Sequence, residues 1–467
     1  VSEGLSRVEG TVELLRKFDR PGPRYTSYPT AVEFRPDYGE SDYLADLARA
    51  DEAQDEPLSL YVHLPFCRQR CWFCGCNVIV TRNYEVASRY LGYLRREIEL
   101  LARRLPRRRR VSQYHWGGGT PTYLSLRDIE ALHGAVRERF DLDPGGEIAV
   151  EVDPRVTSRE QMELFRSLGF NRVSMGVQDF TPEVQAAVHR DQTEEETRSL
   201  FDTCRRLGFH SINVDMIYGL PLQTPDSFER SMDVLLDLRP DRVALYSYAH
   251  VPWIRAQQKY IRPEQLPPAE TKLRLFSIGR EKMLEAGYVQ IGMDHFALPG
   301  DELAQALAER RLTRNFMGYT VLKGSDMIGA GVSAISDVRG SYAQNTKKLS
   351  AYYAALEAGR LPIERGYRSS PDDRIRREVI TRLMCNFCVR KAEIERAFGI
   401  RFDAYFEAEL AEMAAPGGLA AHGFVELHAD RIEIVGAGRL FVRNAAMVFD
   451  RYLAQKKPDA LVFSRTV

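Results

Sequence analysis

The sequence predicts an α/β fold: a partial (β/α) barrel of six units, preceded by an N-terminal arm and followed by a small α-rich C-terminal domain. Three observations carry this expectation. Short β-rich runs recur at LSLYVHL (58–64), VSQYHW (111–116), EIAVEV (147–152), NRVSMGV (171–177), SINVDMIYG (211–219) and DRVALYSY (241–248). Between them, stretches 84–104, 125–140, 158–168, 193–207 and 225–238 place apolar residues at helical spacing, with charged residues between. After about residue 365 the pattern changes to helices, then FVELHADRIEIV (424–435), two short strands around a polar turn, and a final helix near 437–455.

The elements divide into an arm over 1–55, the barrel with an extension over 56–365, and the C-terminal domain over 366–467. The arm holds PGPRYTSYPTA (21–31), where prolines and polar aromatics disfavour a regular helix or strand. Six units fall short of the eight that close the common β/α barrel, so one side is expected to stay open for a large substrate. At 467 residues the chain is longer than a single core usually becomes, which agrees with a second, smaller domain. RRLPRRRR (103–110) is the one low-complexity segment, read as a solvated helix end and loop that could also dock an acidic electron donor.

The 65 basic residues equal the 65 acidic ones, so no global field favours nucleic acid or an anionic membrane. The first twenty residues contain no apolar signal region, and no apolar run is long enough to span a bilayer, so a cytoplasmic location is expected. Seven cysteines occur, four of them within ten residues: Cys67, Cys71, Cys74 and Cys76. Such clustering reads as a metal site and not as a disulfide framework.

In YVHLPFCRQRCWFCGCN, directly after the first predicted strand, Cys67, Cys71 and Cys74 stand at C-x3-C-x2-C. Thiolates suit zinc and iron–sulfur clusters alike. A zinc knuckle would need Cys76 or His63 as a fourth ligand, and structural zinc usually draws two separated ligand pairs, whereas this loop carries three thiols and no second pair lies close. Three ligands on a 4Fe-4S cluster would leave one iron open to another molecule.

Functional groups of β/α folds gather at the C-terminal ends of strands. The second strand runs into Gly117, Gly118 and Gly119, where missing side chains let the backbone approach a ligand. Glu151 ends the third strand, Gln178 the fourth, with Arg190 beyond it; Asp215 and Ile217 close the fifth, and Ala249 follows the sixth. His63, His115, His250 and His295 are expected to be packed and hydrogen-bonded. Cys385 and Cys388 form C-x2-C in an apolar helical stretch and read as core.

The C-x3-C-x2-C spacing, with Phe73 before the third cysteine, resembles the signature of the radical SAM superfamily. Together with HWGGGTPTYL, EVDPR, RVSMGVQDF, DMIYGLP, YAHVP, GMDHFA and the arm, it resembles the bacterial oxygen-independent coproporphyrinogen III oxidase family, essentially end to end. That resemblance implies a radical SAM barrel and conversion of two propionates of coproporphyrinogen III to vinyl groups, giving protoporphyrinogen IX by means of a 5′-deoxyadenosyl radical from S-adenosylmethionine (SAM). It implies Cys67, Cys71 and Cys74 as ligands of a 4Fe-4S cluster, with Cys76 unligated. A first SAM would meet Tyr61, Gly118, Glu151 and Ile335; a second would meet Phe73, Gly119, Thr120, Gln178, Arg190, Asp215 and Ala249, with Phe316 nearby. Partners implied are a flavodoxin- or ferredoxin-like electron donor and an unidentified acceptor, acting on a monomer. Two departures stand out: Met317 where the family pattern has glutamine, and Trp72 for tyrosine. A thioether lacks an amide's donors and acceptor. Arg24 is a candidate partner for the substrate's carboxylates. Related alternatives are a haem-carrying chaperone and a radical SAM enzyme acting on haem; the PRYTSYPTA arm and the fourth cysteine separate this chain from the chaperones.

Overall fold

A computed structural model describes residues 17–18, 20–322 and 326–453. Helix α1 (Glu40–Asp51) precedes the β/α units, so the region read as an arm contains a regular helix, while 22–30 has no helix or strand. The units then follow in order: β1 (Leu58–Leu64), α2 (Tyr84–Arg104), β2 (Arg110–Gly118), α3 (Leu126–Arg137), β3 (Asp141–Val152), α4 (Arg159–Ser167), β4 (Arg172–Gln178), α5 (Glu194–Arg206), β5 (Ser211–Tyr218), α6 (Pro225–Leu238) and β6 (Arg242–Ser247). Helix starts agree closely with the sequence reading because local chemistry sets them. Ser158 accepts from Gln161 N, and the Gln161 side chain returns to Ser158 N, a reciprocal cap repeated at Thr193 and Thr224.

The six strands pair in parallel, each with its neighbour in sequence. Alternation along them separates two faces. Val62, Trp116, Val150, Met175, Val214 and Leu245 are buried under the helices in the main core. The opposite face carries Tyr61, His115, Glu151, Ser174, Asp215 and Tyr246, all only partly covered, so the interior of the partial barrel is polar and reachable.

The sheet is wider than six strands. After α7 (Ala269–Glu285), β7 (Val289–Ile291) and β8 (His295–Ala297) extend the β6 side with antiparallel pairing. On the β1 side, β9 (Met327–Ala330) pairs in parallel, then β10 (Ile335–Val338), β11 (Ser341–Asn345) and β12 (Ile363–Arg368) continue antiparallel. The resulting twelve-stranded sheet ends at β12 and β7, which are not paired with each other among the described residues. Most of these added strands are three to five residues long, too short to declare an alternating pattern.

A second core joins the C-terminal helices to the arm through Tyr25 and Tyr28. Tyr25 donates to Asp450 at 2.9 Å, and Arg443 donates to the carbonyls of Gly22 and Pro23. The arm is therefore wedged against the C-terminal region, not loose.

Three local readings need correction. Helix α8 (Pro371–Asn386) ends at Phe387, whose φ of 55° is left-handed, so Cys388 begins a strand, Cys388–Arg390, paired with Arg431–Ile434; both cysteines are nonetheless buried, as core residues should be. The final helix is a 3-10 turn, Gly436–Phe441, followed by Val442–Val448, and positions 454–455 of that reading lie outside the described residues. Arg108, in the supposedly solvated arginine run, is fully buried: its guanidinium pairs with Asp326 and donates to the carbonyls of Ala50, Glu56 and Pro57. A charge so deep is tolerated only because its donors find acceptors.

Candidate active site

The loop after β1 carries the thiols. Phe66–Cys67 pairs with Ile79–Val80, and Gly119 N and Thr120 N donate to the carbonyls of Leu64 and Phe66 at 2.8 and 2.9 Å, which fixes the loop beside the triple glycine. Each of the three spaced sulfurs has a polar partner: Thr120 Oγ1 lies 3.5 Å from Cys67, Arg155 and Arg190 each 3.6 Å from Cys71, and the amide of Cys76 donates to Cys74 at 3.4 Å. Donors to sulfur suit thiolates that share negative charge with a cluster. Burial pushes the Cys67 thiol up to about 11. Hydrogen bonding from Cys76, with the charges of Arg190 and Arg255, draws Cys74 down to about 6. Cys76 itself is exposed. Among the described residues no three His, Cys, Asp or Glu side chains gather closely enough to hold one metal ion.

Next to the thiols, a Cβ at any of Gly117–Gly119 would crowd a neighbour. A Cβ at 117 would lie 2.6 Å from Glu151 Oε1, one at 118 would lie 2.4 Å from the His63 ring, and one at 119 would lie 2.6 Å from the Pro65 carbonyl carbon. Gly118 also has a φ of 114°. Glu151 accepts from Gly118 N at 3.0 Å and contacts His115 Nε2 at 3.1 Å. Burial opposes its charge, yet these two partners hold it below the usual carboxylate range. Tyr61 stacks against His115 and bonds His63 Nδ1 at 3.0 Å, so Tyr61, Gly118 and Glu151 form one group. Ile335 opens β10, two places from β1 in the sheet; its carbonyl lies against Gly329.

A second group lies along β4 to β6. Gln178 ends β4 with a φ of 76°, an uncommon conformation for a side-chain-bearing residue and one that clusters at functional sites. Arg190 bonds Asp153 at 3.1 Å and the carbonyl of Gly176, but its buried Nε has no partner. Asp215, bonded to Asn213 at 2.8 Å, is pushed up to about 7 by burial, with Glu151's charge adding to the effect. A strap beyond β6 closes over the cysteine loop: Gln258 Nε2 donates to the carbonyls of Phe73 and Ala249 at 3.1 Å each, and Gln257 to that of Cys74.

Other candidates stand apart. Phe316 packs on Tyr342 with centroids 5.9 Å apart, and Met317 sits in the turn between Thr313–Asn315 and Gly318–Thr320, its amide held by Asn315. Asn315 and Thr320 bond Gln113 and Glu147, which pair with each other four places before Gly117 and Glu151, so that hairpin meets the strands on the side away from the glycines. Arg24 is already engaged by Asp294 and is a poor partner for a substrate carboxylate. Sequence reasoning missed Asp153 and Arg155, present in EVDPR but given no role, and Gln257 and Gln258, which carry no motif.

The donor set fits an iron–sulfur cluster, and the orphaned Arg190 Nε fits a carboxylate-bearing ligand. Comparison with known proteins points the same way. Residues 61–235 match the Radical SAM superfamily and residues 369–441 the HemN C-terminal domain. The chain is 46% identical over 451 residues to an oxygen-independent coproporphyrinogen III oxidase of Pseudomonas aeruginosa, covering 96% of this chain and 97% of that one. It is 45% identical over 454 residues to the Escherichia coli protein of the same name, covering 97% of each. The solved Escherichia coli coproporphyrinogen III oxidase (HemN), described as a radical SAM enzyme, superposes with a TM-score of 0.88 at 45% identity, over 92% of this chain and 97% of the other. With near full-length identity and a shared fold, this chain belongs to the oxygen-independent coproporphyrinogen III oxidase family of the radical SAM superfamily.

Proposed function

We infer that this protein oxidatively decarboxylates two propionate side chains of coproporphyrinogen III to vinyl groups, yielding protoporphyrinogen IX without oxygen. The observation that carries the reading is the end-to-end relationship to proteins of that name, coupled to a loop whose three spaced thiols each have a polar partner. Cys67, Cys71 and Cys74 would hold the cluster and Cys76 would stay free. When bound, the cluster and SAM supply a carbon radical that takes a hydrogen from the β-carbon of a propionate, after which carbon dioxide and one electron leave.

The chain's own residues position and shield. Gly117–Gly119 bring amides and carbonyls within reach of SAM's polar groups, and Glu151 accepts from its amino group or ribose hydroxyls while Tyr61 and Ile335 flank it. Arg190, with its free Nε, would take the carboxylate of a second SAM, beside Phe73, Gly119, Thr120, Gln178, Asp215 and Ala249. Asp215, pushed up to about 7, carries its proton on the side-chain carboxyl for part of the time at neutral pH, which lessens repulsion between it and an incoming carboxylate. Equilibrium dialysis, finding one or two SAM molecules per chain, decides the second site.

No side chain must act as a strong base. Orientation and exclusion of water do the work, an effect of several kcal/mol. The enzyme is read as a monomer in the cytoplasm, where thiols stay reduced. It takes electrons from a flavodoxin- or ferredoxin-like donor and passes one to an external acceptor. Among the described residues no helix is long and apolar enough to cross a membrane. Anaerobic incubation of the reconstituted protein with dithionite, SAM and coproporphyrinogen III tests the reading: vinyl product supports it. Tight stoichiometric haem binding without turnover would instead favour a chaperone.

A further inference from the structure

Two guanidiniums meet at one sulfur. Arg155 Nη2 and Arg190 Nη1 each lie 3.6 Å from Cys71 Sγ, whereas Cys67 is met by the neutral hydroxyl of Thr120 and Cys74 by a backbone amide. Among the described residues, Cys71 is therefore the one of the three spaced thiols with charged hydrogen-bond donors. A single carboxylate holds both of them. Asp153, directly after β3, accepts from Arg155 Nε at 3.0 Å and Nη2 at 2.7 Å, and from Arg190 Nη1 at 3.1 Å. It also accepts from the backbone amide of Arg155 at 3.1 Å.

The Arg155 contact is a two-donor fork, which fixes a planar guanidinium in direction as well as distance. Arg190 is steadied a second time by the carbonyl of Gly176. Three segments distant in sequence thus converge on Cys71: its own loop after β1, the turn after β3, and the stretch before α5. The side chains of Asp153, Arg155 and Arg190 are 10%, 15% and 7% exposed, so water screens their charges little. Among the described residues neither arginine forms an ion pair with any other acid, so two cations share one paired carboxylate and an excess of positive charge is left beside the sulfur. Buried charge needs a counterpart, and a thiolate bonded to iron is one. Hydrogen bonds to a ligand sulfur favour the more negative, reduced state of an iron–sulfur cluster.

We propose that Asp153 is a positioning residue: it holds Arg155 and Arg190 against the Cys71 sulfur and so raises the reduction potential of the cluster bound through that thiolate. This rests on the functional reading above, in which Cys71 is a cluster ligand. Entry of one electron from a flavodoxin- or ferredoxin-like donor is thereby eased. Arg190 acts from both ends, one terminal nitrogen on the sulfur and its unpartnered Nε free for a ligand's carboxylate.

The test is a potentiometric titration of the full reconstituted chain, followed by electron paramagnetic resonance of the reduced cluster, with iron content measured on the same samples. Arg155→Gln removes one charged donor and should move the midpoint to a more negative potential. Arg155→Lys keeps the charge but not the fork, and should fall between Arg155→Gln and the wild type. Asp153→Asn separates two explanations by sign. Loss of a negative charge alone would raise the midpoint, whereas release of both guanidiniums from the sulfur lowers it, and the proposal predicts the lower value. With iron content as in the wild type, an Arg155→Gln midpoint that has not moved, or an Asp153→Asn midpoint above the wild type, would overturn the positioning role alone. If Asp153→Asn holds no iron, the order of midpoints across the two Arg155 variants and the wild type decides. A wild type that takes up no 4Fe-4S cluster would overturn the functional reading, and the proposal with it.

Discussion

The carboxylate of Glu151, at the end of β3, accepts a hydrogen bond from the backbone amide of Gly118, at the end of β2, at 3.0 Å. Two neighbouring strands are thereby joined at the level where the thiol loop begins. The glycine run and the acidic residue act as one device: the absence of a side chain at 117 is what lets the carboxylate approach.

Gly117→Ala should break that device. The new Cβ would sit 2.6 Å from Glu151 Oε1, so the carboxylate must swing away and lose the Gly118 amide. The expected result is SAM binding weakened about tenfold, with thermal stability falling as for a modest overpacking defect, about 1–3 kcal/mol. Equilibrium dialysis with SAM and a circular dichroism melt read the two effects separately.

Gln258→Ala should loosen the strap over the cysteine loop. Its amide supplies donors to the carbonyls of Phe73 and Ala249, and its Oε1 accepts from Val251 N. Truncation leaves those partly buried groups without their partner, a cost of about 1 kcal/mol. Urea denaturation should show a lower midpoint, and limited proteolysis should cut first between residues 251 and 262. Unchanged cleavage sites would count against the strap as a closure.

Glu97 gives a pH prediction. Buried on α2, it accepts from Gly331 N at 2.7 Å, from Asn345 Nδ2 at 2.6 Å and from Tyr352, and so anchors the loop leading to Ile335. Burial pushes its carboxyl from 4.5 up to about 7. A raised carboxylate favours the folded state while protonated in the fold, so this contribution is complete below pH 4.5 and is lost as pH rises through about 7. Glu97→Gln should therefore flatten the fall in stability between pH 5 and pH 8 relative to the wild type, by about 1–3 kcal/mol. Urea midpoints at those two pH values check it; parallel curves for both proteins would refute it.

Cys76→Ser and Cys74→Ser should part company. The first removes an exposed thiol while the backbone amide that serves Cys74 remains, so iron content after reconstitution should match the wild type. The second removes one of the three proposed ligands and should lose most of the cluster absorbance and iron. Equal iron loss in both variants would mean that the fourth thiol is a ligand.

Much of this was legible in the sequence because local rules decide it. The caps at Ser158, Thr193 and Thr224 set helix starts, and alternation along 58–64 or 211–218 separates an apolar face from a polar one. The short strands at either border were not legible: three or four residues show no period, and their pairing is decided by the sheet they join. Arg108 misled for a related reason. Five of the six residues at 105–110 are basic or proline, which reads as solvated, yet Asp326, more than two hundred residues away, draws one guanidinium inward. Within the site, the sequence singled out Glu151 and Asp215 on predicted strands and Arg190 a short way beyond one, whereas Asp153, Arg155, Gln257 and Gln258 act through contacts that only the folded chain makes.

The account turns on an iron that three thiolates leave open. Electron paramagnetic resonance of the reconstituted, dithionite-reduced protein, recorded before and after SAM is added, addresses this directly. The account predicts a reduced 4Fe-4S signal whose g-values move when SAM binds, followed by 5′-deoxyadenosine. A signal indifferent to SAM, or a protein that holds zinc in place of iron, would contradict it.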